Sequence, residues 1–191
     1  MHTPTRLSVL ALVLALAALV LLTPAPTAAA SKAEIDRDVK IALQQLYKTT
    51  PAAKVLAEKA KGILVFPSIL KAGLIVGGQG GNGALLKKGK TVGYYNSAAA
   101  SYGLQAGVQT FGYAMFFMTD AALAYLDKSG GWEIGVGPSI VIVDKETAAA
   151  FGKTATSSTL QSDIYAFIFS QKGLMAGLGI QGSKITRIEP K

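Results

Sequence analysis

The apolar positions of this chain change period twice. From Val9 to Leu22 they are unbroken, fourteen in a row. From Ile35 onward they recur at helical spacing: Ile35, Val39, Ala42, Leu43 and Leu46 fall within about 100° of arc on a helical wheel. Arg37, Lys40, Gln44 and Lys48 fall on the opposite side. Ser31 and Glu34 ahead of them form an S-x-x-E capping box. The spacing therefore predicts an amphipathic helix with a basic outer stripe. Thr50-Pro51 predicts a second helix, with Thr50 as N-cap and Pro51 at the first helical position. It runs to about Lys61, where Gly62 stops it. The two should form a helical hairpin.

Beyond Gly62 the period becomes that of strands. The stretch KGILVFPSILKAGLIVGGQGGNGALL, Lys61 to Leu86, reads as two buried strands, Ile63 to Phe66 and Ala72 to Gly78. They join at Phe66-Pro67-Ser68 and are followed by a glycine-rich bend. Ala84 to Leu86 and Thr91 to Tyr95 flank Lys87-Lys88-Gly89-Lys90, a hairpin turn with glycine where φ > 0 is needed. Ser97 to Ser101 reads as a loop of small residues. Gly103 to Met118 alternates, Gln105, Gly107 and Gln109 against Leu104, Ala106 and Val108, and its length predicts a bend or bulge near Gly112. Thr119 and Asp120 cap a short helix, Ala121 to Lys128. Trp132 to Val143 is another strand, its second half put at an edge or bulge by Pro138. Lys145 to Phe151 reads as one helical turn and Lys153 to Thr159 as a polar loop. Asp163 to Phe169 and Leu174 to Gln181 pair around Ser170 to Gly173, and Lys184 to Ile188 closes the chain. The fold class is α+β. A curved, mostly antiparallel sheet of about six to eight strands, open or barrel-like, packs against the helical hairpin.

One pattern recurs: Gly73-Leu-x-x-Gly77, Gly103-Leu-x-x-Gly107 and Gly173-Leu-x-x-Gly177. In a strand, residues four apart point to the same face. Each pair would clear a strip of that face for curvature or for close approach by another backbone.

Composition changes the picture of the first thirty residues. A run of fourteen apolar residues is shorter than the roughly 20 needed to span a bilayer. Thr23-Pro24-Ala25-Pro26 breaks it, and Ala28-x-Ala30 supplies a processing site. Residues 1–30 are expected to be a secretory signal peptide cleaved between Ala30 and Ser31, with an uncleaved anchor as the alternative. Residues 31–191 would form a single domain. Cysteine is absent from the chain, so disulfides and an acylated cysteine at the cleavage site are excluded. Removing Arg6 leaves 18 basic against 11 acidic residues, a formal +7. That balance favours anionic partners, and export points to a membrane surface rather than nucleic acid.

Catalytic equipment is scarce. The one histidine, His2, lies in the expected signal. No metal site is expected without Cys or His, and no cofactor. Gly78-Gln-Gly80-Gly-Asn-Gly83 matches G-x-G-x-x-G, but a dinucleotide fold needs a helix at the third glycine and an acid about 20 residues on. Neither follows here. Gly89-Lys90-Thr91 ends like a P-loop without its first glycine. Asp163 is the acid best placed to enter the core, and it should cap a strand end or pair with Lys172. The chain reads as non-enzymatic.

Taken together, Ala60-Lys-Gly-Ile-Leu-Val-Phe-Pro, Lys71-Ala-Gly-Leu-Ile-Val-Gly-Gly, the Gly103 to Phe111 strand, Gly135-Val-Gly-Pro138, and Gln171-Lys-Gly-Leu-Met-Ala-Gly-Leu through Gly182-Ser-Lys-Ile resemble the SYLF domain, also called the Ysc84-type actin-binding domain. The resemblance covers nearly all of residues 31–191. It implies lipid binding: eukaryotic members bind phosphoinositides, with an N-terminal amphipathic helix implicated, and some bind and bundle actin. Bacterial members are mostly exported, and many look like lipoproteins, from which this cysteine-free chain departs. For an exported chain the implication becomes an anionic lipid or amphiphile, and actin does not carry over.

The expected function is that of an exported lipid-binding protein, periplasmic or secreted and peripheral on a membrane. The alternative is a structural or protein-interaction module of the cell envelope that uses its glycine-rich face. The candidate lipid-binding residues form two clusters, Arg37, Lys40 and Lys48 on the helix and Lys87, Lys88 and Lys90 on the turn. The helix is expected to be the membrane element and the turn an auxiliary contact.

Overall fold

The computed structural model describes residues 30–73, 76–102, 107–144, 148, 161–173, 180 and 182–191, with the backbone alone at 101 and 102. Helix α1 is Lys32–Thr49 and α2 is Pro51–Lys59. The capping box closes as expected: Ser31 Oγ accepts from Glu34 N at 3.3 Å, and Glu34 Oε2 accepts from Ser31 N at 2.8 Å. Pro51 opens α2, but Thr50 makes no side-chain cap bond. Gly62 does not stop α2. The helix ends at Lys59, Ala60 turns the chain to extended geometry, and Gly62 is the first residue of β1.

The strands are β1 (Gly62–Gly73), β2 (Val76–Lys87), β3 (Lys90–Tyr102), β4 (Gly107–Phe117), β5 (Trp132–Glu133), β6 (Ile140–Val143), β7 (Ile164–Gly173) and β8 (Lys184–Ile188). A short helix α3, Asp120–Leu123, and a 3-10 turn, Ala124–Asp127, separate β4 from β5. The eight strands form one sheet in the order β5-β8-β3-β2-β1-β4-β7-β6. Among the described residues only the β6–β7 pair is parallel. The expected α+β class and mostly antiparallel sheet are those observed.

Several expected boundaries move for one reason: glycine, proline and small residues here sit inside strands rather than between them. The two strands expected on either side of Pro67-Ser68 are one strand with an extra residue there, since Phe66 faces Tyr113 while Ile69 faces Phe111. The expected glycine-rich bend is the middle of β2, where a Cβ on Gly83 would fall on the Val65 carbonyl and one on Gly81 on that of Ser68. The expected loop at Ser97–Ser101 is the second half of β3. Ser170 to Gln171 is not a turn but a second bulge, in β7, where Gly112 faces Phe169 and Thr110 faces Lys172. The register thus shifts at Gly112 as expected, but the extra residues belong to the strands on either side of β4. The lysine turn holds: Lys88 and Gly89 both have positive φ, 50° and 76°, as a two-residue hairpin turn needs. The expected helical turn at 145–151, loop at 153–159 and strand at 174–181 fall almost wholly outside the described residues.

The expected strand Trp132–Val143 splits into β5 and β6, which lie on opposite edges of the sheet. Gly135 and Gly137, at φ +105° and +97°, break it. Only Ile134 to Ser139 link the two edges, a span of roughly 25 Å at most for so short a chain. The eight strands therefore curl into a half-barrel.

Strand alternation then makes two cores. Inside the curl lie Leu64, Phe66, Tyr95, Tyr113, Met115, Phe117 and Trp132, closed by Leu123 and Leu126. On the outside, Val65, Ala114, Phe116, Tyr165, Phe167 and Phe169 meet Ile35, Val39, Ala42 and Leu46 of α1 and Ala53 and Leu56 of α2. The α1 stripe that the sequence predicts is thus buried against the sheet.

Candidate functional site

The six candidate cations all reach solvent. On α1, Arg37 Nε lies 2.9 Å from Asp38 Oδ1, an exposed pair of small energetic weight. Lys87, Lys88 and Lys90 cluster on the β2–β3 turn. Asp36 brings the two groups together: its carboxylate accepts hydrogen bonds from Thr91 Oγ1 at 2.8 Å and Tyr94 Oη at 3.0 Å. The first turns of α1 therefore lie beside the lysine turn. Lys48, twelve residues further along the helix, is roughly 18 Å away. Ala30 is packed against the outer core and Ser31 is engaged in the capping box.

The helix cannot offer its apolar stripe to a membrane while docked, because Ile35, Val39, Ala42 and Leu46 are all buried. The exposed apolar side chains of the outer face are elsewhere. Leu70, Val76 and Val108 stand on the uncovered end of the sheet, and Ile41 on the flank of α1.

A groove runs along that flank. One depression, of about 860 Å³, lies between the α1–α2 bend and strands β6 and β7, over Leu46, Val143, Phe167 and Phe169. A second, of about 370 Å³, lies between α1 and the two bulges, bounded by Ile41, Pro67, Thr110 and Lys172. They share Gln45, Ser170 and Gln171. Both bulges open onto this groove, as bulges beside binding sites commonly do. Sequence reasoning missed the groove, since its walls come from residues far apart in the chain. The visible signals were Pro67 and the Ser-Gln-Lys-Gly run, both read as turns.

Inside the curl a polar row crosses the sheet. Lys71 faces Gln79 on one side and Gln109 on the other. Gln79 Nε2 donates to Ser183 Oγ at 2.9 Å, and one layer deeper Tyr113 Oη donates to Ser97 Oγ at 2.7 Å. Gln109 Oε1 is buried without a hydrogen-bond partner among the described residues. Burial pushes the Tyr113 phenol far up, while its bond to Ser97 acts the other way. Lys71 is buried because the bulge resets alternation: two residues beyond Ile69, it shares the inner face.

Asp163 caps the start of β7. Its carboxylate accepts from Ser139 N at 3.0 Å, Ser139 Oγ at 2.9 Å and Thr119 Oγ1 at 3.4 Å, while Lys172 sits at the other end of that strand. Among the described residues no cluster of His, Cys, Asp and Glu could hold a metal. Among them, too, no helix is long and apolar enough to cross a membrane. The G-x-G-x-x-G glycines lie within β2, and no helix opens at Gly83.

Comparison with curated proteins finds no match. The family model Ysc84, described as Las17-binding protein actin regulator, matches residues 98–189. That span takes in the end of β3 and everything from β4 to β8, with Phe167, Phe169 and Lys172 of the groove. It leaves out the helical hairpin and all six candidate cations. Residues 98–189, just under half of the chain, are thus similar to the Ysc84 family, in agreement with the SYLF-type resemblance of the sequence.

Proposed function

We propose that this is an exported, non-enzymatic lipid-binding protein that associates peripherally with anionic membrane surfaces. The observation that carries the reading is the Asp36 anchor, which sets the basic outer side of α1 beside the basic β2–β3 turn. Arg37, Lys40, Lys87, Lys88 and Lys90 then act from one region, and at about 1 kcal/mol per cation they supply roughly 5 kcal/mol toward an anionic bilayer. The leading apolar run with Ala28-x-Ala30 supports export to the periplasm or beyond, with cleavage before Ser31. The matched family is described as an actin regulator. An exported chain does not meet actin, so actin is not proposed as the partner.

Binding in this reading leaves the helical hairpin docked, because undocking would expose the buried stripe of α1. The test is co-sedimentation with vesicles of graded anionic lipid content, at low and physiological salt. The wild type should bind in proportion to anionic lipid and weaken with salt. Replacing Lys87, Lys88 and Lys90 together by Gln should weaken binding at least as much as replacing Arg37, Lys40 and Lys48, since Lys48 lies apart. Indifference of the wild type to lipid charge would sink the reading. The exposed Leu70, Val76 and Val108 favour a second reading, an envelope module that docks a protein on its glycine-rich outer face. A stable protein partner without lipid dependence would select it.

A further inference from the structure

We propose that the groove between α1 and the bulged strands holds one acyl chain of an anionic single-chain amphiphile, with its head at Lys172. The inference rests on the lipid-binding reading and names the part of the lipid that the basic surface cannot recognise.

The two depressions are lined by α1 from Asp38 to Thr50, a helical rise of roughly 18 Å. A bilayer's hydrocarbon core is about 30 Å thick, so one chain in one leaflet spans about 15 Å. The deeper depression, about 860 Å³, lies within the usual range for ligand pockets, roughly 300–1,000 Å³. The groove is therefore long enough for one chain.

Chemistry agrees with dimension. The deep end is floored by Leu46, Phe167 and Phe169, all buried in the outer core. Its polar lining residues include Gln45, Thr49 and Gln171, and one acid, Asp144, stands at its rim. The shallow end carries two charged residues, Asp38 and Lys172. Asp38 has Arg37 Nε 2.9 Å away, while Lys172 has no ion pair among the described residues. Lys172 is the one basic residue among those lining the two depressions, and it places the head of an anionic amphiphile at that end.

The backbone has been adapted to make this space. The extra residues at Pro67-Ser68 and Ser170-Gln171 flank β4 at one level, and all four line the shallow depression. Ser170 holds φ +54°, an uncommon conformation for a residue other than glycine. A regular sheet would carry neither feature. Together they kink the two strands beside α1 where the depressions meet.

The test is titration of the full chain, as the cell processes it, with cis-parinaric acid, a naturally fluorescent fatty acid, below its aggregation threshold. Saturable one-to-one binding is expected. Gln45→Trp places a large ring on an exposed helix position shared by both depressions, and should weaken binding by about tenfold or more. Lys172→Gln should weaken the acid about fivefold and leave the methyl ester unchanged. Circular dichroism and thermal melting confirm that both variants fold. Absence of saturable binding, or wild-type affinity in Gln45→Trp, overturns the proposal. Vesicle binding measured in parallel separates the two readings. Vesicle binding with no parinarate binding ends the groove proposal alone. Parinarate binding with no vesicle binding ends the membrane reading and leaves the groove standing.

Discussion

Gly112 occupies the level at which three strands fall out of step. A Cβ there would stand 2.6 Å from Phe169 Cε2 and 2.9 Å from the Pro67 carbonyl oxygen. One neighbour is a buried ring and the other is backbone of the bulge, so neither can yield cheaply. Gly112→Val should therefore destabilise by more than about 2 kcal/mol in chemical denaturation, while Gly89→Ala, with open space around it, should be felt through its positive φ alone. Asp163 is held by its neighbours in the same local way. The Ser139 backbone N–H holds its carboxyl below the ordinary value of 3.8, helped by the hydroxyls of Ser139 and Thr119. A depressed folded value means that the stabilisation is present above the ordinary value and is lost as pH falls through the lowered one. Melting temperature should accordingly drop on acidification below about pH 4, and Asp163→Asn should flatten that limb. Single residues of this kind were partly legible: of the two roles expected for Asp163, capping a strand end or pairing with Lys172, the first is found. Lys71 was not, because its inward direction depends on an extra residue that no local pattern reveals.

At the scale of elements, α1 is the best specified. Its capping box, apolar stripe and basic outer side all follow from the 3.6-residue period, and all are found. What the period could not reveal is the fastening of the helix to the sheet. No local pattern singles out Asp36, yet it is bonded to Thr91 and Tyr94. Burial first, and this carboxylate second, push the Tyr94 phenol upward. Asp36→Ala should cost about 1–2 kcal/mol in urea denaturation and should loosen the relation between helix and turn, reducing vesicle binding although it raises net positive charge. Unchanged stability would mean that the α1–sheet contact is apolar alone. The strands were legible in number and in kind but not at their ends. Pro67, the glycines of β2 and the Ser170–Gly173 run carry the composition of turns. Here they serve close packing: Gly81 and Gly83 bring β2 against the backbone of β1, and the bulges bend strands without ending them.

The whole molecule is a sheet with two insides, one within the curl and one beneath the helical hairpin. Its curvature was foreseeable from the glycine density, but its closure follows from a linkage that periodicity misses, the short passage from β5 to β6. The surface charge was legible because charge needs no partner to be counted. The groove was not, because bulges in β1 and β7 meet only after folding. One contact has a consequence for how the chain can be cut and rejoined. Lys32 N donates to the Lys191 carbonyl at 3.1 Å, and Lys32 Nζ lies 3.8 Å from Glu189. The start of α1 and the last residue after β8 are therefore neighbours in space. Topologically, residues 31–191 approach a closed loop, and domains whose ends meet tolerate circular permutation. A permutant sealed from Lys191 to Ser31 and opened at the exposed Lys88-Gly89 turn would carry its free ends on the basic surface. The order in which ribosomes deliver these elements then becomes separable from the architecture they adopt.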